Sequence, residues 1–207
     1  MGNRKTRLIV VRHAQSESNK AKFYAAAINV NLTEYGRMQA EKTAAFLRKY
    51  SIDRAYSSPM VRVIQTAKPI IRGRNLELEI IPDLREIYGG AWEGLSYEEI
   101  EREYPVERDL WYHNFIYCIC PGGDSVSDLY NRVRPAFEKI VADNYGKTVL
   151  VASHATPIRL MLTRFMGKPI RESNNVPWPE NASVTVVDCY EDGTYDLILS
   201  AYDEHLK

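Results

Sequence analysis

Leu8-Ile-Val-Val11 is a short β-branched run without polar alternation, the pattern of a strand buried on both faces of a parallel sheet. Val149-Leu-Val-Ala152 repeats it. Between them, Thr33 precedes apolar positions at Ala40, Ala44 and Leu47, spaced i, i+4 and i+7, which predicts a capped amphipathic helix. Ile52 to Tyr56 predicts a short strand. Ser58-Pro59 then sets a capping hydroxyl before a proline suited to the first helical position, so a helix is expected from Pro59 to about Ile71. Leu76 to Ile81 reads as another strand. Val126, Leu129, Val133 and Phe137 mark a helix that Pro135 is expected to kink. Ser183 to Asp188 and Tyr195 to Leu199 flank the turn sequence Glu191-Asp192-Gly193-Thr194 and predict an antiparallel edge hairpin. Alternating strands and helices before that hairpin predict an α/β protein, a three-layer α/β/α sandwich on a mainly parallel sheet.

Residues 95–121 break this rhythm. Tyr97, Tyr104, Trp111, Tyr112, Phe115 and Tyr117 lie among acidic residues, with Pro105 and Pro121 as breaks. Two readings stand side by side: a cap inserted at about 95–125 over a site, or a peripheral helix pair whose aromatics fill a satellite core. The chain has no repeat and no Gly/Ser-rich linker, so residues 1–207 read as one domain carrying that insertion.

Composition narrows the function classes. With 27 basic and 27 acidic residues the net charge is zero, which argues against nucleic acid as a partner, since phosphate backbones are held by a basic excess. Three cysteines, Cys118, Cys120 and Cys189, lack the neighbours of a zinc site and suit a reducing cytoplasm. No stretch approaches the roughly 18 apolar residues of a membrane span, and the longest early apolar run, Leu8–Val11, is too short for a signal-peptide core, so a soluble protein is expected. Met1, Gly2 and Thr6 match the loose myristoylation pattern, but a strand starting near residue 7 leaves almost no free arm for it. A homodimer is left open.

Ligands of open α/β sheets collect beyond the carboxyl ends of the strands. Two of the chain's four histidines stand there in matching contexts, Arg12-His13-Ala14 after the first strand and Ser153-His154-Ala155 after Val149–Ala152. His113 and His205 lack this context. Arg62, one turn into the helix after Ser57-Ser58-Pro59, can reach back to the same crevice, so two guanidiniums and two imidazoles meet there. Such a cluster repels itself until an anion occupies it, and arginine matches phosphate oxygens with paired hydrogen bonds. Glu86, just past the strand at 76–81, supplies one acid. Glycines 89, 90 and 94 fail the spacings of phosphate loops. Gly146-Lys147-Thr148 imitates the end of a P-loop but precedes a strand, and no G-x-S-x-G elbow is present.

Taken together, Arg12-His13-Ala14 with Glu17 and Asn19, Ser57-Ser58-Pro59 with Arg62 and Thr66-Ala67, Leu84-Arg85-Glu86 with Trp92-Glu93-Gly94, Pro121-Gly-Gly-Asp-Ser125 and Ser153-His154 resemble the histidine phosphatase superfamily, the phosphoglycerate mutase-like fold, over about residues 7–200. The resemblance implies that His13 is the nucleophile, that Arg12, Arg62 and His154 hold the phosphoryl group, that Glu86 donates the proton and that Asn19 lies in the pocket. It implies a phosphomonoester hydrolase acting on a small molecule through a phosphohistidine, with no metal and no cofactor. The runner-up is a cofactor-dependent phosphoglycerate mutase; a non-catalytic phosphate-binding regulatory module stands in another class. Ala14, Ala155 and Asp124 replace the Gly, Gly and Glu common in the family, and positive φ at either alanine would be strained. The aromatics of 95–121 lead to the expectation of an apolar wall with few cations around the leaving group, with Trp111 and Phe115 touching bulky substrates.

Overall fold

The computed structural model describes residues 4–207. In chain order they form β1 (Lys5–Arg12), α1 (Glu17–Ala21), α2 (Glu34–Phe46), β2 (Arg54–Ser57), α3 (Val61–Ile71), β3 (Leu78–Ile80), α4 (Tyr97–Glu103), α5 (Pro105–His113), α6 (Val126–Ala142), β4 (Thr148–Ser153), α7 (Ala155–Phe165), β5 (Val184–Tyr190) and β6 (Tyr195–Tyr202). The strands make one six-stranded sheet in the order β3-β2-β4-β1-β5-β6. β1 to β4 pair in parallel, while β5 joins β1 and β6 antiparallel and forms the edge hairpin.

The unalternated strands owe their composition to burial on two faces. Leu8, Val10, Val149 and Val151 enter one core with Leu129, Val133 and Phe137 of α6 and Leu160 and Met161 of α7. Ile9, Val11, Leu150 and Ala152 enter the other, with Val63, Ala67 and Ile70 of α3 and Ala44 of α2. Successive residues of a strand point to opposite faces, so a strand covered by helices on both sides must be apolar at every position. The result is a three-layer sandwich. Thr33 caps α2 as the spacing predicts, its hydroxyl accepting the Gly36 N–H at 2.9 Å. Met1 and Gly2 of the myristoylation pattern lie outside the described residues; Thr6 is buried in β1 and donates its hydroxyl to the Val141 carbonyl.

Two features depart from expectation. The helix after β2 starts at Val61 with Met60 as N-cap and no side-chain cap, so Ser58 does not cap it. The segment at 95–121 joins the main core instead of a satellite one and also borders a cavity. Ile100, Trp111 and Phe115 belong to the same core as the sheet face, whereas Tyr97 and Tyr112 border a cavity.

Glycines 89, 90 and 123 serve packing. Gly90 adopts φ +56°, and a Cβ there would meet the Pro121 carbonyl oxygen at 2.2 Å. The Ala91 N–H donates to that carbonyl and the Asp124 N–H to Tyr88 O, which clamps the 86–92 turn onto residues 121–124. Asp124 adds a side-chain bond from the Tyr88 N–H and lies 3.6 Å from Arg132.

Candidate active site

β1 and β4 are adjacent and parallel, with Arg12 opposite Ser153. Their following residues therefore leave the sheet side by side, and the His13 N–H donates to Ser153 O at 3.0 Å. The matched contexts in sequence are matched register in the sheet. The rings of His13 and His154 lie 5.2 Å apart, edge to face.

His13 Nδ1 is 2.8 Å from the Ala14 carbonyl, which can only accept, so Nδ1 carries the proton and Nε2 holds the free lone pair. His154 is arranged the other way round. Its Nδ1 faces Arg62 Nη2 at 3.5 Å, a donor only, so Nδ1 is the acceptor and Nε2–H donates to Ser58 Oγ at 2.8 Å. Ser58 thus fixes the second histidine, a role its position before a proline disguised as helix capping. Burial, reinforced by the charges of Arg62 and Arg12, holds the His13 pKa well below its ordinary 6.5. For His154 burial again leads, followed by Arg62, His13 and Arg12. Burial and the neighbouring guanidiniums thus disfavour the charged form of both imidazoles.

The arginines are held without carboxylates. Arg62, 2% exposed, donates to the carbonyls of Ile28 at 3.1 Å and of Ala25 at 2.7 Å. Arg12 donates through Nη1 to Pro179 O at 2.7 Å, and its buried Nε has no partner among the described residues. Burial lowers the pKa of each, with the nearby Glu86 charge opposing. Two desolvated guanidiniums with neutral partners and an unused N–H make an anion site.

Glu86 is placed by backbone. Its Oε1 accepts the Ile87 N–H at 2.9 Å and its Oε2 the Thr156 N–H at 3.2 Å, in the first turn of α7. Behind it, Arg132 Nη2 donates to Glu86 O and Ser153 Oγ to Leu84 O. Arg12, His13, Arg62, Glu86 and Asn19 border one cavity of about 440 Å³. His154 lies fully buried behind its wall, joined to Arg62. Asn19 accepts from Ser16 and from Asn181 Nδ2, which also donates to His13 O.

The alanines at 14 and 155 adopt ordinary backbone, since neither has positive φ. The Ala14 N–H donates to Thr66 Oγ1, which in turn donates to Arg62 O. The outer wall corrects the apolar expectation. Arg108 and Arg159 line it beside Trp111 and Trp178, while Phe115 is fully buried behind them. Sequence reading missed Ser58 on His154, both outer arginines and Trp178; only Ser58 carried a signal, and it pointed to another role. Among the described residues no group of three or more His, Cys, Asp or Glu side chains is assembled to hold a metal ion.

Residues 8–199 match the sequence profile of the histidine phosphatase superfamily (branch 1). The chain is 33% identical over 188 residues to phosphoserine phosphatase 1 of Hydrogenobacter thermophilus, covering 89% of this chain and 87% of that protein. It is 28% identical over 163 residues to the adenosylcobalamin/alpha-ribazole phosphatase of Salmonella typhimurium, covering 79% and 81%. Among solved structures, Bacillus stearothermophilus YhfR superposes with a TM-score of 0.92 at 25% identity, over 98% of this chain and all of that one. With a strand-end histidine pair, the arginines around it and a profile match spanning nearly the whole chain, this protein belongs to the histidine phosphatase superfamily.

Proposed function

We propose that the protein is a phosphomonoester hydrolase that works through a phosphohistidine on His13. One observation carries this reading: a neutral histidine, its Nδ1 tied to a carbonyl, stands beside two buried guanidiniums that have no carboxylate partner. An anion completes that charge pattern, and the free Nε2 supplies a nucleophile toward it.

In the first step His13 Nε2 attacks phosphorus in line with the ester oxygen. The P–O bond breaks, its electron pair stays on the leaving oxygen, and Glu86 delivers a proton to form the alcohol. Arg12 and Arg62 offset charge on the equatorial oxygens. His154 Nδ1, which faces Arg62 Nη2, becomes a donor to phosphate once the arriving dianion favours its protonation. In the second step water attacks the same phosphorus, the P–N bond breaks with its pair returning to Nε2, and Glu86 takes the proton from water. Ester and water become alcohol and inorganic phosphate, with the enzyme restored. The arginines supply the positive charge, so the reaction is expected to need neither metal nor cofactor. Three buried free thiols suit a reducing, cytoplasmic setting.

The test is phosphate release from a panel of phosphomonoesters with a chelator present throughout. Turnover unaffected by EDTA and inhibition by vanadate are expected. Activity lost in EDTA and restored by a divalent ion would contradict the metal-free account. Efficient interconversion of 3- and 2-phosphoglycerate with little net phosphate would favour the mutase reading, and binding of phosphate without turnover of any ester would favour a non-catalytic module.

A further inference from the structure

Residues 85–89, which carry Glu86, belong to no helix or strand. Every backbone carbonyl from Asp83 to Tyr88 nevertheless accepts a hydrogen bond. Ser153 Oγ donates to Leu84 O at 2.8 Å, the Tyr24 hydroxyl to Ile87 O at 2.9 Å and the Asp124 N–H to Tyr88 O at 2.9 Å. The rest fall to one side chain. Arg132 on α6 donates through Nη1 to Asp83 O at 2.9 Å and to Arg85 O at 3.1 Å, and through Nη2 to Glu86 O at 3.1 Å. The same Nη2 lies 3.6 Å from Asp124 Oδ2, which accepts the Tyr88 N–H at 3.2 Å.

We propose that Arg132 is a positioning residue for the general acid: it sets where the Glu86 carboxyl stands and so governs proton delivery to the leaving oxygen. The inference rests on the hydrolase reading above and adds a residue to its acid step. Glu86 Oε1 accepts the N–H of the next residue, Ile87, at 2.9 Å, so the carboxyl follows its own backbone, while Oε2 accepts the longer Thr156 bond at 3.2 Å. A shift of the 85–87 peptides therefore passes to the carboxyl. Packing leaves room for such a shift, because Glu86 borders both the substrate cavity and a second one of about 440 Å³ shared with Arg85, Asp124 and Arg132. Hydrogen bonds to the backbone then decide where the acid sits.

Arg132 supplies those bonds from a fixed base. Leu129 and Val133 beside it on α6 are fully buried in the core. A guanidinium is planar with its N–H groups in a fixed fork, so bonding three carbonyls at once fixes their relative placement. An ammonium at the same site could reach these carbonyls but would impose no plane. Misplacing a reacting group by about 1 Å costs on the order of 100-fold in rate. Arg12, Arg62 and His154 hang on other segments, β1, α3 and the end of β4, so loss of Arg132 should be felt in proton transfer and not in phosphate binding.

The test is a double-mutant cycle between Arg132→Met and Glu86→Gln, read on two aryl esters. Phenyl phosphate has a leaving group that gains from protonation; the phenolate of p-nitrophenyl phosphate departs readily. Arg132→Met is expected to lower kcat on phenyl phosphate by about tenfold and on p-nitrophenyl phosphate by less than about twofold, with inhibition by inorganic phosphate unchanged. Arg132→Lys should recover part of the loss. In the Glu86→Gln background, Arg132→Met should cost no more than about twofold on phenyl phosphate, because the acid it positions is already gone. Arg134→Met, on the same helix and paired with Glu138, is the control and should match the wild type. No loss, equal losses on the two esters, or losses that multiply in the double variant would overturn the proposal. If Arg132→Met fails to fold, Arg132→Lys carries the same comparison, and an unchanged ratio between the esters would overturn it. A wild-type protein that hydrolyses neither ester fails the hydrolase reading itself, and the role of Arg132 falls with it.

Discussion

His13 and His154 share a register position and differ in their hydrogen bonds. A carbonyl fixes Nδ1–H of His13 and frees Nε2, whereas Ser58 takes Nε2–H of His154 and leaves its Nδ1 toward Arg62. In the proposed mechanism the first ring is the nucleophile and the second a phosphate ligand. Glu86 completes the set, held at both oxygens by backbone N–H groups. Its assigned task is to protonate the leaving oxygen, a form of help worth about 100- to 10,000-fold and needed most by a basic alkoxide. Glu86→Gln should therefore cripple hydrolysis of alkyl phosphates while largely sparing p-nitrophenyl phosphate, whose phenolate departs unaided. Comparable losses in kcat on the two substrates would reduce Glu86 to a structural or binding role. At this scale the sequence exposed the groups next to strand ends, His13, Arg12 and His154. It hid Ser58, because a hydroxyl before a proline has a commoner use than holding a histidine ring.

The elements deliver these groups through parallel strands and two braced turns. The doubly buried strands were legible as unalternated apolar runs, and the edge hairpin as two runs about a Gly-containing turn. The start of α3 was misread because Ser58 was assigned by local chemistry alone, while the partner that claims it, His154, lies on β4's far side of the sequence. Another long-range link supports Arg62. The Glu93 carboxylate accepts the N–H groups of Ala26 and Ala27 at 3.2 Å and of Gly89 at 3.3 Å, holding the segment whose carbonyls cradle the guanidinium. Removing the charged acceptor of a part-buried hydrogen-bond network costs about 1 kcal/mol. Glu93→Ala should lower stability by about 1 kcal/mol and weaken inorganic phosphate binding, with the exposed Glu98→Ala on α4 as the control. A Glu93→Ala protein that unfolds earlier yet binds phosphate as the wild type does would break the link from this brace to Arg62.

Across the whole molecule, net charge is zero while the cavity concentrates positive groups. Fold class was readable because strand–helix alternation and two-face burial follow from local sequence. The outer wall was not, because residues 108, 111, 159 and 178 converge only in three dimensions. Burying two neutral histidines also ties stability to pH. Their folded pKa values lie below the unfolded 6.5, so below about 6.5 the unfolded chain binds more protons, and stability must fall as pH falls. Each contributes at most about 1.4 kcal/mol per pH unit in that window and nothing above it; the half-buried His205 adds a smaller part of the same sign. Urea unfolding from pH 7.5 to 5 should show this decline, shallower in His154→Asn. A flat profile would contradict neutral burial.

The central claim, covalent catalysis by His13, is tested most directly by trapping the intermediate. The protein is mixed rapidly with p-nitrophenyl phosphate, quenched in alkali to preserve a phosphoramidate, and mapped by tandem mass spectrometry. One phosphoryl group on His13, stable in alkali and lost in acid, is the predicted result, with no label and no turnover in His13→Ala. A label on another residue, or a His13→Ala variant that still hydrolyses phosphomonoesters at a near-normal rate, would contradict it.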